Sequence, residues 1–187
     1  MEMKGERMLP AGRTTVWSLL NDPEILRQCV PGCESLVATG ENSYDAVMTA
    51  AIGPVKARFK GKLSLADITA PLHYRLLFEG QSGQAGFARG EARVELQELA
   101  PDQTRLVYSA TSQVGGKLAQ IGGRLIDAAA AATAAKFFEA FAGKLSAPVS
   151  APAGALPAPA QTIAQAHRAG FWRWLRAFLR HLFAPKS

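Results

Sequence analysis

GGKLAQIGGRLIDAAAAATAAKFFEAFAGKL, residues Gly115–Leu145, is the stretch on which the fold turns. Leu118, Ile121, Leu125, Ala128, Ala132, Ala135, Phe138 and Leu145 recur at steps of three or four, with one double step past Ala142. That spacing lines one face of an α-helix. Its few charges (Lys117, Arg124, Asp127, Lys136, Glu139, Lys144) fall mostly on the other side. The apolar face is bulky at both ends but almost pure alanine from Ala128 to Ala135. Alanine secures the helix through its propensity, yet it fills little space. Such a helix either approaches its sheet closely or roofs a cavity.

The strands on the N-terminal side bear on that choice. Glu2 to Leu9 reads as a strand, followed by two short helices, the second started by Asp22 as N-cap with Pro23 at its first position. From Ser43 to Val114 the period changes to two, with breaks at Gly53-Pro54, at the glycine-rich GQSGQAG of residues 80–86 and at Pro101-Asp102. Such hairpin-linked runs predict an antiparallel sheet with one buried face. If Glu34 to Thr39 is also a strand, the order is β-α-α followed by six strands and the long helix. The inward positions include Ala46, Ala50, Ala57, Gly61, Ala88, Gly90, Ala92, Ala110 and Ser112. Small residues on both sides cannot reach native density without collapse or an occupant. A curved sheet around a long helix cannot collapse uniformly, so the pattern favours a ligand-sized apolar cavity over close packing. Its expected lining is Phe59, Phe78, Phe87, Ala88, Ala92, Leu118, Ile121, Leu125, Ala132 and Phe138.

Charge and motifs narrow the function. The net charge is +6, but residues 140–187 hold six bases and no acid, so residues 1–139 are neutral. A nucleic-acid binder would carry a basic patch on its folded domain, and that class is not expected. The first ten residues have no signal-peptide pattern and no segment reaches the ~20 apolar residues of a membrane span, so the expectation is a cytoplasmic protein. No histidine spacing suggests a metal or a nucleophile motif. Cys29 and Cys33 are too few for a zinc site or a disulfide framework, and read as structural or incidental thiols. The 80–86 segment lacks the Lys-Ser/Thr ending of a phosphate loop and joins two strands, either as a mobile hairpin at a cavity mouth or as an ordinary turn. Lys56, Arg58, Lys60 and Lys62 form a basic ladder on one strand face, either paired with cross-strand carboxylates or docking to an acidic protein or anionic lipid.

Three regions are expected: a domain over 1–145, a flexible linker over 146–161 and a helix over 162–187. The linker is uncharged and rich in proline and alanine, and could span about 50 Å if extended. Thr162 and Gln165 match a capping box. The helix they start is amphipathic, with Phe171, Trp172, Trp174, Leu175, Phe178, Leu179, Leu182 and Phe183 set against Arg173, Arg176 and Arg180. It is too short and too charged at its centre to span a bilayer. An interfacial anchor on anionic lipid fits its composition best, ahead of a partner-binding helix.

Residues 1–145 also resemble a known family. Met3-Lys4-Gly5, Val16-Trp17, Asn21-Asp22-Pro23 and Pro31-Gly32-Cys33-Glu34-Ser35 carry part of the likeness, with Gly86-Phe87-Ala88 and Phe137-Phe138. Gly53-Pro54-Val55-Lys56-Ala57-Arg58-Phe59-Lys60-Gly61 and Gly115-Gly116-Lys117-Leu118-Ala119-Gln120 carry the rest, with residues 53–56 and 115–120 the specific segments. The chain is similar to the carbon monoxide dehydrogenase G-subunit family of the START-like (SRPBCC), or helix-grip, superfamily. The resemblance implies an α+β fold, a curved seven-stranded antiparallel sheet gripping the C-terminal helix, without catalytic residues of its own. It implies association with a molybdenum hydroxylase of the carbon monoxide dehydrogenase type and recruitment of that enzyme to the inner face of the cytoplasmic membrane. It also implies a cavity suited to an isoprenoid quinone or other lipid. The expected function is therefore a non-enzymatic, membrane-tethered adaptor. A cyclase or hydrolase of the helix-grip kind is the alternative, for which the inward set offers only Tyr44, Tyr74, Tyr108 and Ser112.

Overall fold

The computed structural model describes residues 1–146. Strand β1 (Glu2–Leu9) leads into helices α1 (Arg13–Leu20) and α2 (Pro23–Cys29). The strands β2 (Cys33–Gly40), β3 (Ser43–Ile52), β4 (Val55–Thr69), β5 (His73–Ser82), β6 (Gly86–Ala100) and β7 (Gln103–Gly115) follow. A short helix α3 (Lys117–Gln120) and the long helix α4 (Gly123–Ser146) complete the domain. The strands form one antiparallel sheet in the order β1-β7-β6-β5-β4-β3-β2. Consecutive hairpins build it from β2 to β7, and β1 returns to pair with β7. Asp22 caps α2 as its sequence predicts, its Oδ1 accepting from the Glu24 amide at 2.9 Å.

The sheet curves around α4. Gly61 and Gly90 sit in the middle of the two longest strands, where a Cβ would meet the Glu79 and Thr111 carbonyl oxygens at 2.1 Å each. Glycine at such points lets a neighbouring strand approach and a long strand bend. The inner face then carries two separate packed clusters. One joins Leu9, Val16, Leu20, Cys29, Leu96, Leu106 and Phe141, drawing together β1, α1, α2, β6, β7 and the last turns of α4. The other is smaller, Ala57, Phe59 and Leu118, with Met48, Ile52, Val55, Ala85 and Ile121 packed against it.

The single helix expected over 115–145 is two. Strand β7 continues to Gly115, α3 occupies one turn, and Gly122 at φ +97° breaks the path before α4 starts at Gly123. A left-handed residue cannot lie inside an α-helix, and glycine adopts it without a Cβ penalty. The break also resets the helical phase. Leu125, Ala128, Ala132 and Ala135, expected on the buried stripe, are exposed. The inward face of α4 is instead Ile126, Ala129, Ala130, Ala134, Phe137, Phe138 and Phe141, reaching Leu145. The linker over 146–161 and the anchor helix over 162–187, with Phe171, Trp172, Arg173, Trp174, Leu175, Arg176, Phe178, Leu179, Arg180, Leu182 and Phe183, lie outside the described residues.

Candidate functional site

Strand register orders the inner face into rows that run across the sheet. Tyr108, Val94 and Tyr74 share one row, flanking the first cluster. The next holds Ala110, Ala92, Leu76 and Leu65, and the one after it Ser112, Gly90, Phe78, Leu63 and Tyr44. Val114, Ala88, Gly80, Gly61 and Ala46 make a further row before Phe59 and the second cluster. In the last three rows alanine, glycine and serine hold eight of fourteen positions, and none of their residues is buried. Both clusters flanking them are packed. On α4 the matching stretch is Ala129, Ala130 and Ala134, each half-buried. A band of half-buried residues thus separates two packed cores on the sheet face toward α4.

The residues expected to line a cavity are distributed unevenly around this band. Phe78, Ala88 and Ala92 lie within it. Phe59 and Leu118 are buried members of the second cluster, with Ile121 against it. Phe138 packs on the first cluster, its ring 5.3 Å from that of Tyr108 and 5.1 Å from that of Phe137. Three positions require correction. Phe87 pairs with Gln81 and Gly115 on the outer face and is 40% exposed, because inward positions on β6 are even-numbered. Ala132 points away from the sheet because α4 restarts at Gly123, and Leu125, also exposed, reaches only the β3–β4 hairpin tip at Gly53. Sequence reasoning missed Ala129, Ala130 and Ala134. The signal that could have found them is the Gly122-Gly123 pair, which marks where the helical count must begin again.

The polar groups on this face are few. Tyr74 is buried, with its ring edge-on to Trp17 at 5.6 Å. Burial pushes its phenol well above the ordinary tyrosine range, and the nearby Tyr44 adds to the effect. Tyr44, Tyr108 and Ser112 place further hydroxyls on this face. Cys29 is buried and Cys33 half-buried, and burial raises both thiols, which suits packing rather than redox work. No cluster of metal-ligating side chains occurs among the described residues.

The outer face is polar and furrowed. Three concavities run across the strands between rows of outward side chains, one between Asp45, Lys62, Glu79 and Arg89 on one wall and Ser64, Leu77 and Glu91 on the other. None takes a residue from α4. They are the spaces between solvated side chains of a curved sheet and bring no catalytic group together. Of the basic ladder on this face, Arg58 is held by Glu34 at 2.7 Å. Lys56, Lys60 and Lys62 form no ion pair among the described residues.

A curved seven-stranded sheet closed by a C-terminal helix is the START, or helix-grip, architecture. Solved structures with this fold include a START superfamily protein from Mycobacterium smegmatis, at TM-score 0.62 and 16% identity over 77% of this chain and 96% of that one. The Zhui aromatase/cyclase from Streptomyces sp. R1128 is similar at TM-score 0.60 and 12% identity, over 83% of this chain and 99% of its own. At such identities the likeness is one of fold. A conserved protein from Geobacillus kaustophilus is nearer, with TM-score 0.74 and 34% identity over 78% of this chain and 95% of that one. Residues 5–146 match the family of the carbon monoxide dehydrogenase G subunit (CoxG), and the chain belongs to that family, one of accessory subunits. No curated protein sequence matches the chain significantly. No helix among the described residues is long and apolar enough to cross a membrane.

Proposed function

We propose that this protein is a non-enzymatic adaptor that carries an apolar, quinone-like lipid between α4 and its sheet. It couples a molybdenum hydroxylase of the carbon monoxide dehydrogenase type to the cytoplasmic membrane and the respiratory chain. The supporting observation is the half-buried band rich in small residues between two packed clusters, including Ala88, Gly90, Ala92 and Ala110 on the sheet, together with the half-buried Ala129, Ala130 and Ala134 on α4. Leu63, Leu65, Leu76 and Phe78 supply apolar walls, and the hydroxyls of Tyr44, Tyr74 and Ser112 suit the carbonyl oxygens of a neutral headgroup. Family membership supports the choice of partner, and the acid-free, Trp- and Arg-rich sequence of residues 162–187 supports the membrane. A cyclase would need an acid–base pair in the band, and the Tyr74 phenol, raised further by burial, is a poor base at neutral pH.

Native mass spectrometry of the full chain purified from its own host, followed by solvent extraction, tests the ligand assignment. A retained neutral isoprenoid supports it. A ligand-free protein that also fails to take up a short-chain quinone would rule it out.

A further inference from the structure

The domain is electrostatically lopsided. The β3–β4 hairpin, the turn between β5 and β6, and α3 with the first turn of α4 converge on the second cluster, where Val55, Ala85, Leu118 and Ile121 meet. Gly53 at the hairpin tip faces Ile121 and Leu125, and Gly86 lies against Gly115 and Gly116, so these three segments form one end of the molecule. Residues 51–60, 81–90 and 113–126 contain Lys56, Arg58, Lys60, Arg89, Lys117 and Arg124 and not one Asp or Glu. All six cations are exposed. Only Arg58 has an ion-pair partner among the described residues; the nearest carboxylates along these elements are Glu79, across from Arg89 on β5, Glu91 on β6 and Asp127 on α4. Two large apolar side chains stand among the cations, Phe87 at 40% and Leu125 at 48% exposure. The guanidinium of Arg89 lies 5.7 Å from the centre of the Phe87 ring.

We infer that this end of the domain docks on the surface of an anionic lipid bilayer, independently of the segment beyond residue 146. Lysine supplies three of the six charges, and a hydrated ammonium on a flexible stem suits a diffuse anionic surface better than the paired geometry of a protein interface. Cations attract lipid phosphates while an aromatic ring and a leucine reach headgroup depth. An acidic protein face would match the charge but gives no reason for Phe87 and Leu125 to project among the cations. The docking also places the second cluster, and the band behind it, beside the membrane.

Hydrogen exchange of the full chain, with and without vesicles containing about 30% phosphatidylglycerol in phosphatidylcholine, tests this. Peptides over 53–60, 83–89 and 117–125 gain protection on anionic vesicles and lose it in high salt, since the attraction is screened. A Lys56→Gln, Lys60→Gln, Lys117→Gln variant partitions on the order of 100-fold more weakly at low salt, with each base contributing a factor of about five. A Lys136→Gln variant on exposed α4 serves as the control and partitions unchanged. Protection confined to residues beyond 146 overturns the inference while leaving the tail anchor standing. No protection before residue 146 on any vesicle, the result expected of a face built for an acidic protein, overturns it too.

Discussion

Filling the band from α4 distinguishes an open site from a close-packed one. Ala130 faces the sheet and is half-buried, whereas Ala132 lies on the opposite side of the same helix and is exposed. Ala130→Phe adds a ring on the half-buried face of α4, toward the small-residue rows of the sheet. Inserting such bulk into a filled core costs about 1–3 kcal/mol. For a domain of this size that would lower Tm by ~3–10 °C. In an open band the ring covers apolar surface instead, and the expected change is under about 1 kcal/mol of either sign. Ala132→Phe reports the cost of Phe on the exposed helix face and leaves the band empty. The assay pairs calorimetric melting with titration of a short-chain quinone. Ala130→Phe should keep its Tm within ~3 °C of the parent and lose quinone binding, while Ala132→Phe keeps both. A drop near 10 °C for Ala130→Phe, with no quinone bound by the parent, would refute the open band.

Other expectations rest on single contacts. Phe141 is fully buried and stacks on Phe137 at 5.7 Å, so Phe141→Ala should lose about 3–5 kcal/mol in urea unfolding, against under about 0.5 kcal/mol for Phe87→Ala. Thr104 is also fully buried and donates to the Ala11 carbonyl at 2.7 Å; Thr104→Val keeps the shape but strands that oxygen, and should cost about 1–3 kcal/mol in the same measurement. Because both thiols are raised by burial, alkylation at pH 7.5 should be slower than for a free thiol, with half-buried Cys33 ahead of buried Cys29, and should accelerate as the pH rises past 9. For the proposed tail anchor, liposome flotation of a Trp172→Ser, Trp174→Ser, Phe178→Ser variant should weaken at any salt. Replacing Arg173, Arg176 and Arg180 should matter mainly at low salt.

Period-two patterning from Ser43 to Val114 was enough to read the antiparallel sheet, and Asp22-Pro23 enough to read the start of α2, because both depend on local geometry. The small residues on the inward strand faces were equally legible, and Phe78, Ala88 and Ala92 do lie together. The face of α4 was not, since Leu118, Ile121 and Leu125 continue a plausible stripe straight through Gly122. A positive φ at one glycine is a tertiary outcome that periodicity does not register, and it rotates every residue after it. Phe87 misled differently: a large aromatic next to an inward alanine invites burial, but strand alternation puts it outside. The clustering of Lys56, Arg89, Lys117 and Arg124 at one end was invisible because their segments are far apart in the chain.

The central claim, an apolar site between α4 and the sheet, is tested most directly by alanine-methyl NMR of the full chain titrated with a short-chain quinone. Ligand-induced shifts and ligand-to-methyl contacts should appear at Ala46, Ala88, Ala92, Ala110, Ala130 and Ala134, and not at Ala128, Ala132 or Ala135. Silence at the first set, or contacts confined to the second, would contradict it.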